Sequence, residues 1–151
     1  MSPIGIDTSF LVAVESTVHE HGFAARELLD RFKLDGEVLA LNPDVLSEFI
    51  HVMTDGKRLE EPLTVDEAIG QAMTWWSAMK VVRVFPNESS IDLFLDWCQK
   101  YHLGRKRLRD TMLAASYFTA GVTRIVTLNA KDFRVFGCFE IIEPPPAVPQ
   151  P

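Results

Sequence analysis

Four acidic residues stand where the sequence pattern places the end of a strand or the start of a helix. Asp7 follows "PIGI", Glu48 lies within "NPDVLSEFIHVM", Asp110 is in the first turn of "RLRDTMLAASYF", and Asp132 comes shortly after "RIVTL". Carboxylates gathered out of water repel one another, so protons or a hard cation must neutralise them. Magnesium and manganese prefer oxygen ligands, and metals of this kind promote hydrolysis of phosphodiester bonds. The four residues therefore predict a site for Mg²⁺ or Mn²⁺.

Each of these residues also has a structural explanation when it is taken singly. Asp7 can cap the helix that follows it, and Asp132 can cap a short final helix. Asp110 can interact with a helix dipole, and Glu48 can lie at the edge of an apolar helix face. Their occurrence on four separate segments favours a shared site. Zinc is a poor candidate, because no set of His or Cys residues has the spacing that it requires.

The elements that must position these residues follow from the apolar pattern. Strands are predicted over 3–7, 36–41, 80–85, 124–128 and 139–142. Helices are predicted over 9–15, 20–34, 65–79 and 107–120, with two more starting after Asn42 and Asn87. Alternating strands and helices predict an α/β fold with a mostly parallel sheet covered on both faces. In such sheets, functional groups gather at the carboxyl ends of the strands, which is where the acidic residues fall.

Length and composition limit the class of protein. A chain of 151 residues is expected to form one domain, and a net charge of −6 argues against a generally basic nucleic-acid coat. We predict a domain over residues 1–143 and an extended, proline-rich tail over residues 144–151. Cys98 and Cys138 are expected to be reduced thiols, since neither belongs to a metal-binding cluster. The sequence shows no secretory leader and no apolar run of about 20 residues, so we expect a cytoplasmic protein without a membrane segment.

The densest basic run, "GRKRLR", precedes Asp110. Its basic residues are Arg105, Lys106, Arg107 and Arg109. A solvated loop and a set of contacts to RNA phosphates explain this run equally well.

Other polar and aromatic residues carry weaker expectations. Thr8, Ser9 and Thr127 lie beside the acidic positions and are expected to orient them or bound water. His19 and His21 are expected to be solvated, and no histidine fits a Ser-His-Asp triad. Of Trp75 and Trp76, at least one is expected in the core and the other at an interface.

The chain as a whole resembles the PIN-domain nucleases, and within them the VapC toxins of bacterial toxin–antitoxin pairs. The matching segments are "IDTSFLVAV", "PDVLSEFIHV", "LRDTMLAASYFTAGVTRIVTLNAKDF" and "FEII", in the order of the family. The resemblance implies a three-layer α/β/α sandwich with a central five-stranded parallel sheet, and a Mg²⁺- or Mn²⁺-dependent endoribonuclease. It also implies a homodimer and a VapB-type antitoxin that inhibits by laying a segment across the acidic groove.

The resemblance assigns roles to the acidic residues. Asp7, Glu48 and Asp110 become the core acidic residues that bind or orient the metal and its water. The family usually has an aspartate directly after the "VT" strand, whereas this chain has Asn129 there and Asp132 in the following "DF". Asn129 contributes no charge, which leaves open whether one metal or two are bound.

Two rival functions remain open. A phosphohydrolase of the haloacid dehalogenase type would use Asp7 as a nucleophile, but that family expects a second aspartate where Ser9 stands. A degenerate PIN fold that binds protein or RNA without catalysis is the other rival. Asn129 favours it, and Asp7, Glu48 and Asp110 argue against it.

Overall fold

Five short strands form one all-parallel sheet in a computed structural model that describes residues 1–146. The strands are β1 (Ile4–Ile6), β2 (Leu39–Leu41), β3 (Val81–Arg83), β4 (Arg124–Val126) and β5 (Glu140–Ile142). Their order across the sheet is β3-β2-β1-β4-β5. The central strand β1 pairs with β2 on one side and with β4 on the other, where Ile6 is opposite Val126. This confirms the predicted parallel α/β fold.

Helices cover both faces of the sheet and complete a three-layer α/β/α sandwich. They are α1 (Thr8–Glu15), α2 (Gly22–Leu34), α3 (Pro43–Met53), α4 (Val65–Trp76), α5 (Glu88–Lys100), α6 (Leu108–Thr119) and α7 (Lys131–Arg134). α1 contacts α2 and α3, α3 contacts α4, and α5 packs on α6. A 3₁₀ turn over Arg105–Arg107 leads directly into α6.

The predicted helix starts are confirmed by their caps. Asn42 accepts a hydrogen bond from the backbone N–H of Asp44 at 2.8 Å, and Pro43 occupies the first turn of α3. Thr64 and Glu67 form a reciprocal capping box before α4. The predicted ends are less accurate, since α4 ends at Trp76 rather than at residue 79. The second strand begins at Leu39 rather than at 36, because Gly36 adopts a positive φ of 68° in the turn that follows α2.

Tyr117 holds α6 against the centre of the sheet. Its buried hydroxyl lies 2.7 Å from the carbonyl oxygen of Ile6 and 3.1 Å from that of Ala40. A Cβ atom on Gly5 would lie 2.8 Å from the Tyr117 ring, so only glycine allows this close approach. Asp110 lies two helical turns before Tyr117 and therefore on the same side of α6. The anchored ring thus directs Asp110 towards the sheet.

The tryptophans, the cysteines and the C-terminal segment were also the subject of predictions from the sequence. Trp75 and Trp76, of which at least one was expected in the core, are both partly buried and pack against the core cluster. Cys98 and Cys138 are free thiols. Residues 144–146 have no regular structure, and the rest of the predicted tail, 147–151, lies outside the described residues. No helix within residues 1–146 has the length and apolar character needed to cross a membrane.

Candidate functional site

Asp7 lies at the carboxyl end of the central strand and is 7% exposed. Its Oδ1 accepts a hydrogen bond from the backbone N–H of Thr8 at 2.9 Å, so Asp7 is indeed the N-cap of α1. Its Oδ2 accepts hydrogen bonds from the hydroxyls of Ser9 at 2.9 Å and Thr127 at 2.7 Å. The capping role and the site role are therefore met by the same carboxylate, with one oxygen serving each.

The segment after β4 lies beside Asp7 and contacts the two hydroxyl groups that hold it. The backbone N–H of Leu128 donates to the Ser9 hydroxyl at 3.0 Å, and that of Asn129 donates to the Thr127 hydroxyl at 2.9 Å. Both hydroxyls are thereby left to donate their single proton to Asp7. These hydrogen bonds join the ends of β1 and β4 into one frame, which supports the orienting role predicted for Ser9 and Thr127.

Glu48 reaches the same region from α3. Its Oε2 accepts a hydrogen bond from the Thr8 hydroxyl at 3.1 Å. The same oxygen lies 3.7 Å from Nη2 of Arg109, which comes from the start of α6. Thr8 thus supports Glu48 in the way that Ser9 and Thr127 support Asp7.

Asp110 and Asp132 share a single guanidinium group. Nε of Arg107 lies 3.6 Å from Oδ2 of Asp110, and Nη1 of Arg107 lies 3.8 Å from Oδ1 of Asp132. Nη2 of Arg107 also donates to the backbone carbonyl of Asp132. Asp132 lies in the first turn of α7 but does not cap it, since the N-cap position belongs to Ala130.

The electrostatics of the site follow from burial and from the mutual repulsion of its carboxylates. Burial raises the pKa of Asp110 to about 6, and the charges of Asp7 and Asp132 add to that rise while Arg107 opposes it. Burial also raises the pKa of Asp7, although the hydrogen bonds from Thr127, Ser9 and Thr8 act in the opposite direction. Ionised Asp7 and Asp110 are therefore unfavourable without additional positive charge.

The acidic residues line one cavity of about 520 Å³ at the carboxyl edge of the sheet. The predicted site residues that line it are Asp7, Thr8, Ser9, Glu48, Asp110, Asn129 and Asp132. Thr127 is buried behind Asp7, and Asn129 is exposed at the cavity edge.

His19, Glu20, His21 and Arg58 also line this cavity, although sequence reasoning did not place them there. His19 and His21 were expected to be solvated, but both are only partly exposed. Burial and the neighbouring His21 lower the pKa of His19, which favours a neutral imidazole. The local sequence around them is polar, and only the path of the chain between α1 and α2 brings them to the cavity. An available signal was their position directly before α2, whose N-cap is His21.

The donor chemistry of the cavity suits a hard divalent cation. Its candidate ligands are carboxylate oxygens, and Mg²⁺ usually keeps several waters while using only one or two protein carboxylates. Within residues 1–146, however, no three His, Cys, Asp or Glu side chains converge into a metal-binding group. Glu48, Asp110 and Asp132 are each within ion-pair distance of an arginine.

The basic run divides into two pairs of residues. Arg105 and Lys106 are exposed. Arg107 is turned towards Asp110 and Asp132, and Arg109 towards Glu48, so these two face the carboxylates. The run is therefore neither a wholly solvated loop nor a uniform basic surface.

Comparison with known proteins gives a family model and a set of solved structures. A family model described as the PIN domain matches residues 4–137. A comparison with curated protein sequences returned no match. The fold is similar to that of VapC20 from Mycobacterium tuberculosis, a sarcin-ricin loop cleaving toxin, with a TM-score of 0.68 and 17% identity over 91% of this chain and 97% of that one. It is also similar to VapBC-1 from nontypeable Haemophilus influenzae, with a TM-score of 0.63 and 14% identity over 93% and 96% of the two chains. DNA-bound VapBC from Salmonella typhimurium gives a TM-score of 0.64 and 18% identity over 95% and 98%.

Proposed function

We propose that this chain, which belongs to the PIN domain family, is the toxin of a VapBC-type toxin–antitoxin system. We propose further that it is a metal-dependent endoribonuclease. The observation that carries the proposal is the single cavity lined by Asp7, Glu48, Asp110 and Asp132. Carboxylate oxygens are the ligands that Mg²⁺ and Mn²⁺ prefer, and one or two of the four, with bound waters, are enough for such an ion. Burial is the main cause of the raised pKa of Asp110, and the charges of Asp7 and Asp132 raise it further, so a bound cation would favour its ionised form.

Asp7, Glu48 and Asp110 are the residues proposed to hold the ion, with Asn129 and Asp132 at the edge of the site. A bound divalent ion would activate water and stabilise the leaving oxygen of the phosphodiester. Thr127 and Ser9 hold one oxygen of Asp7 through their hydroxyls, and Thr8 holds Glu48. These bonds fix the carboxylates before RNA enters, which is the form of preorganisation that catalysis needs.

Contacts to RNA are proposed for the basic run. Arg105 and Lys106 are exposed next to α6 and would pair with phosphates, which concentrates RNA near an otherwise acidic protein. Arg107 and Arg109 lie against carboxylates, so a phosphate contact would require them to exchange partners.

The proposed partners are a VapB-type antitoxin and a second copy of this chain. The antitoxin is supported by the similarity in fold to chains from the Haemophilus and Salmonella VapBC complexes. We propose that a segment of the antitoxin covers the acidic cavity, and that toxin and antitoxin meet in the cytoplasm. The domain is proposed to span residues 1–143.

The test is cleavage of a pool of structured RNAs by the wild type, Asp7→Asn and Asp110→Asn, with Mg²⁺, with Mn²⁺ and with EDTA. We expect cleavage only by the wild type and only with metal. Asp96→Asn is a matched control, because Asp96 is an exposed carboxylate on α5. Cleavage that resists EDTA and both substitutions would refute the metal-nuclease proposal.

Two other functions predict different results. A non-catalytic binding module is favoured by the arginine pairing of three carboxylates, and it predicts RNA binding without cleavage. A phosphohydrolase that uses Asp7 as nucleophile is disfavoured, because Ser9 stands where that family has its second aspartate. It predicts hydrolysis of phosphate monoesters instead of RNA.

A further inference from the structure

Arg107 is an internal cation placed within the acidic site. Its side chain is 25% exposed and lies between Asp110, at 3.6 Å, and Asp132, at 3.8 Å. Its Nη2 donates to the backbone carbonyl of Asp132, which fixes the guanidinium to α7 as well as to α6. The sequence left a solvated loop and phosphate contact equally open for Arg107, and in the structure its side chain lies beside two carboxylates.

The charges, rather than complete hydrogen bonding, account for this position. Nε of Arg107 is buried and has no hydrogen-bond partner among the described residues. A buried donor without an acceptor is unfavourable, so the attraction of two nearby carboxylates must offset it. Arg107 also lowers the pKa of Asp110, against the larger rise caused by burial and by the charges of Asp7 and Asp132.

We propose that Arg107 is the counter-cation of the metal-free site and competes with the divalent ion for Asp110 and Asp132. This inference rests on the proposed function, because it assumes that a metal binds here. Positive charges repel one another, so an ion that enters beside Arg107 binds less tightly than it would without it. Arg107 is thus a positioning residue that holds the two carboxylates when metal is absent and sets the affinity when metal arrives.

Arg109 does not duplicate this role. It lies 3.7 Å from Glu48 and is 65% exposed, so water and salt screen its charge. Arg105 lies in the same 3₁₀ turn as Arg107 but is exposed and forms no ion pair in the part of the chain that the structure describes. Arg105 is therefore a control for the loss of one positive charge near the site.

The test is calorimetric titration of Mn²⁺ into metal-free wild type, Arg107→Met, Arg107→Gln, Arg107→Lys and Arg105→Met, at one ionic strength and without RNA. Both neutral Arg107 variants should bind Mn²⁺ about tenfold more tightly than the wild type, which equals about 1.4 kcal/mol. Arg107→Lys retains the charge and should stay within about threefold of the wild type, as should Arg105→Met. Circular dichroism before each titration identifies any variant that is not folded, and the other neutral variant then carries the comparison.

The Mn²⁺ titrations distinguish failure of the Arg107 proposal from failure of the metal-dependent function. Neutral variants that bind Mn²⁺ with wild-type affinity, or more weakly, overturn the role of Arg107 and leave the metal-dependent function standing. Equal tightening by Arg105→Met also overturns it, because the effect would then be one of net charge. Failure of every variant and of the wild type to bind Mn²⁺ overturns both proposals together.

Discussion

Replacement of Asp110 by asparagine should make the metal-free protein more stable at neutral pH while abolishing its proposed activity. Asp110 is held in a half-buried position where Asp7 and Asp132 repel its charge, and its pKa is raised to about 6. Asparagine has nearly the same shape and carries no charge. The substitution therefore removes the repulsion with little change in packing.

The sign and the size of the effect follow from proton linkage. The folded protein holds the Asp110 proton more tightly than the unfolded chain, so the metal-free wild type loses stability as the pH rises from about 4 to about 6. A rise in pKa from 3.8 to about 6 corresponds to about 3 kcal/mol. Because the side chain is 32% exposed, solvent screening reduces this figure to about 1–2 kcal/mol. Asp110→Asn should therefore gain about 1–2 kcal/mol near pH 7.5 and almost nothing near pH 4.

The assay is urea unfolding in EDTA, followed by circular dichroism near pH 7.5 and near pH 4, for the wild type and Asp110→Asn. Asp96→Asn removes an exposed carboxylate and should leave the free energy of unfolding within about 0.5 kcal/mol of the wild type at both pH values. The reasoning is wrong if Asp110→Asn is no more stable than the wild type near pH 7.5, or if its gain is equally large near pH 4.

Three further predictions concern the Thr127 hydroxyl beside Asp7, the Tyr117 hydroxyl that anchors α6, and the exposed basic residues before α6. Thr127→Val removes the hydroxyl that donates to Asp7 at 2.7 Å, and it should lower the free energy of unfolding by about 1–3 kcal/mol and slow RNA cleavage about tenfold or more. Thr127→Ser, which keeps the hydroxyl, should retain most of the activity, and equal losses in both variants would contradict the role of this bond. Tyr117→Phe removes the hydroxyl beside the Ile6 carbonyl and should cost about 1–2 kcal/mol in urea unfolding, whereas an unchanged stability would refute the anchor. The double substitution Arg105→Ala and Lys106→Ala should reduce the salt dependence of single-stranded RNA binding by about 1.4 in the slope of log K against log salt, and an unchanged slope would exclude both as phosphate contacts.

The fold was predictable because local and long-range signals agree along this chain. Asn42 with Pro43 marks the start of α3, and Thr64 with Glu67 marks that of α4, through side-chain bonds that involve only neighbouring residues. Strand lengths were overestimated because pairing in a sheet depends on the partner strand, which a local pattern does not contain. At β2 the left-handed turn at Gly36 also delays the start of the strand to Leu39.

The site was predictable in its acidic residues but not in their counter-charges. Asp7, Glu48, Asp110 and Asp132 were predicted to come together because strand ends and the helices beside them meet at one edge of a parallel sheet, and all four line one cavity there. The pairing of Arg107 with Asp110 has a local signal, since residues three apart are neighbours on a helix surface. The approach of Arg107 to Asp132 has none, because it depends on how the segment after β4 folds back.

We propose that the carboxylates around Asp7 form one metal-dependent centre that cleaves RNA. The most direct measurement is the rate of cleavage of a single labelled RNA as a function of Mn²⁺ concentration, for the wild type and for Asp7→Asn. We predict a saturable increase for the wild type that EDTA reverses, and no cleavage by Asp7→Asn at any Mn²⁺ concentration. Cleavage by the wild type that is independent of Mn²⁺, or an Asp7→Asn curve that matches that of the wild type, would contradict the account.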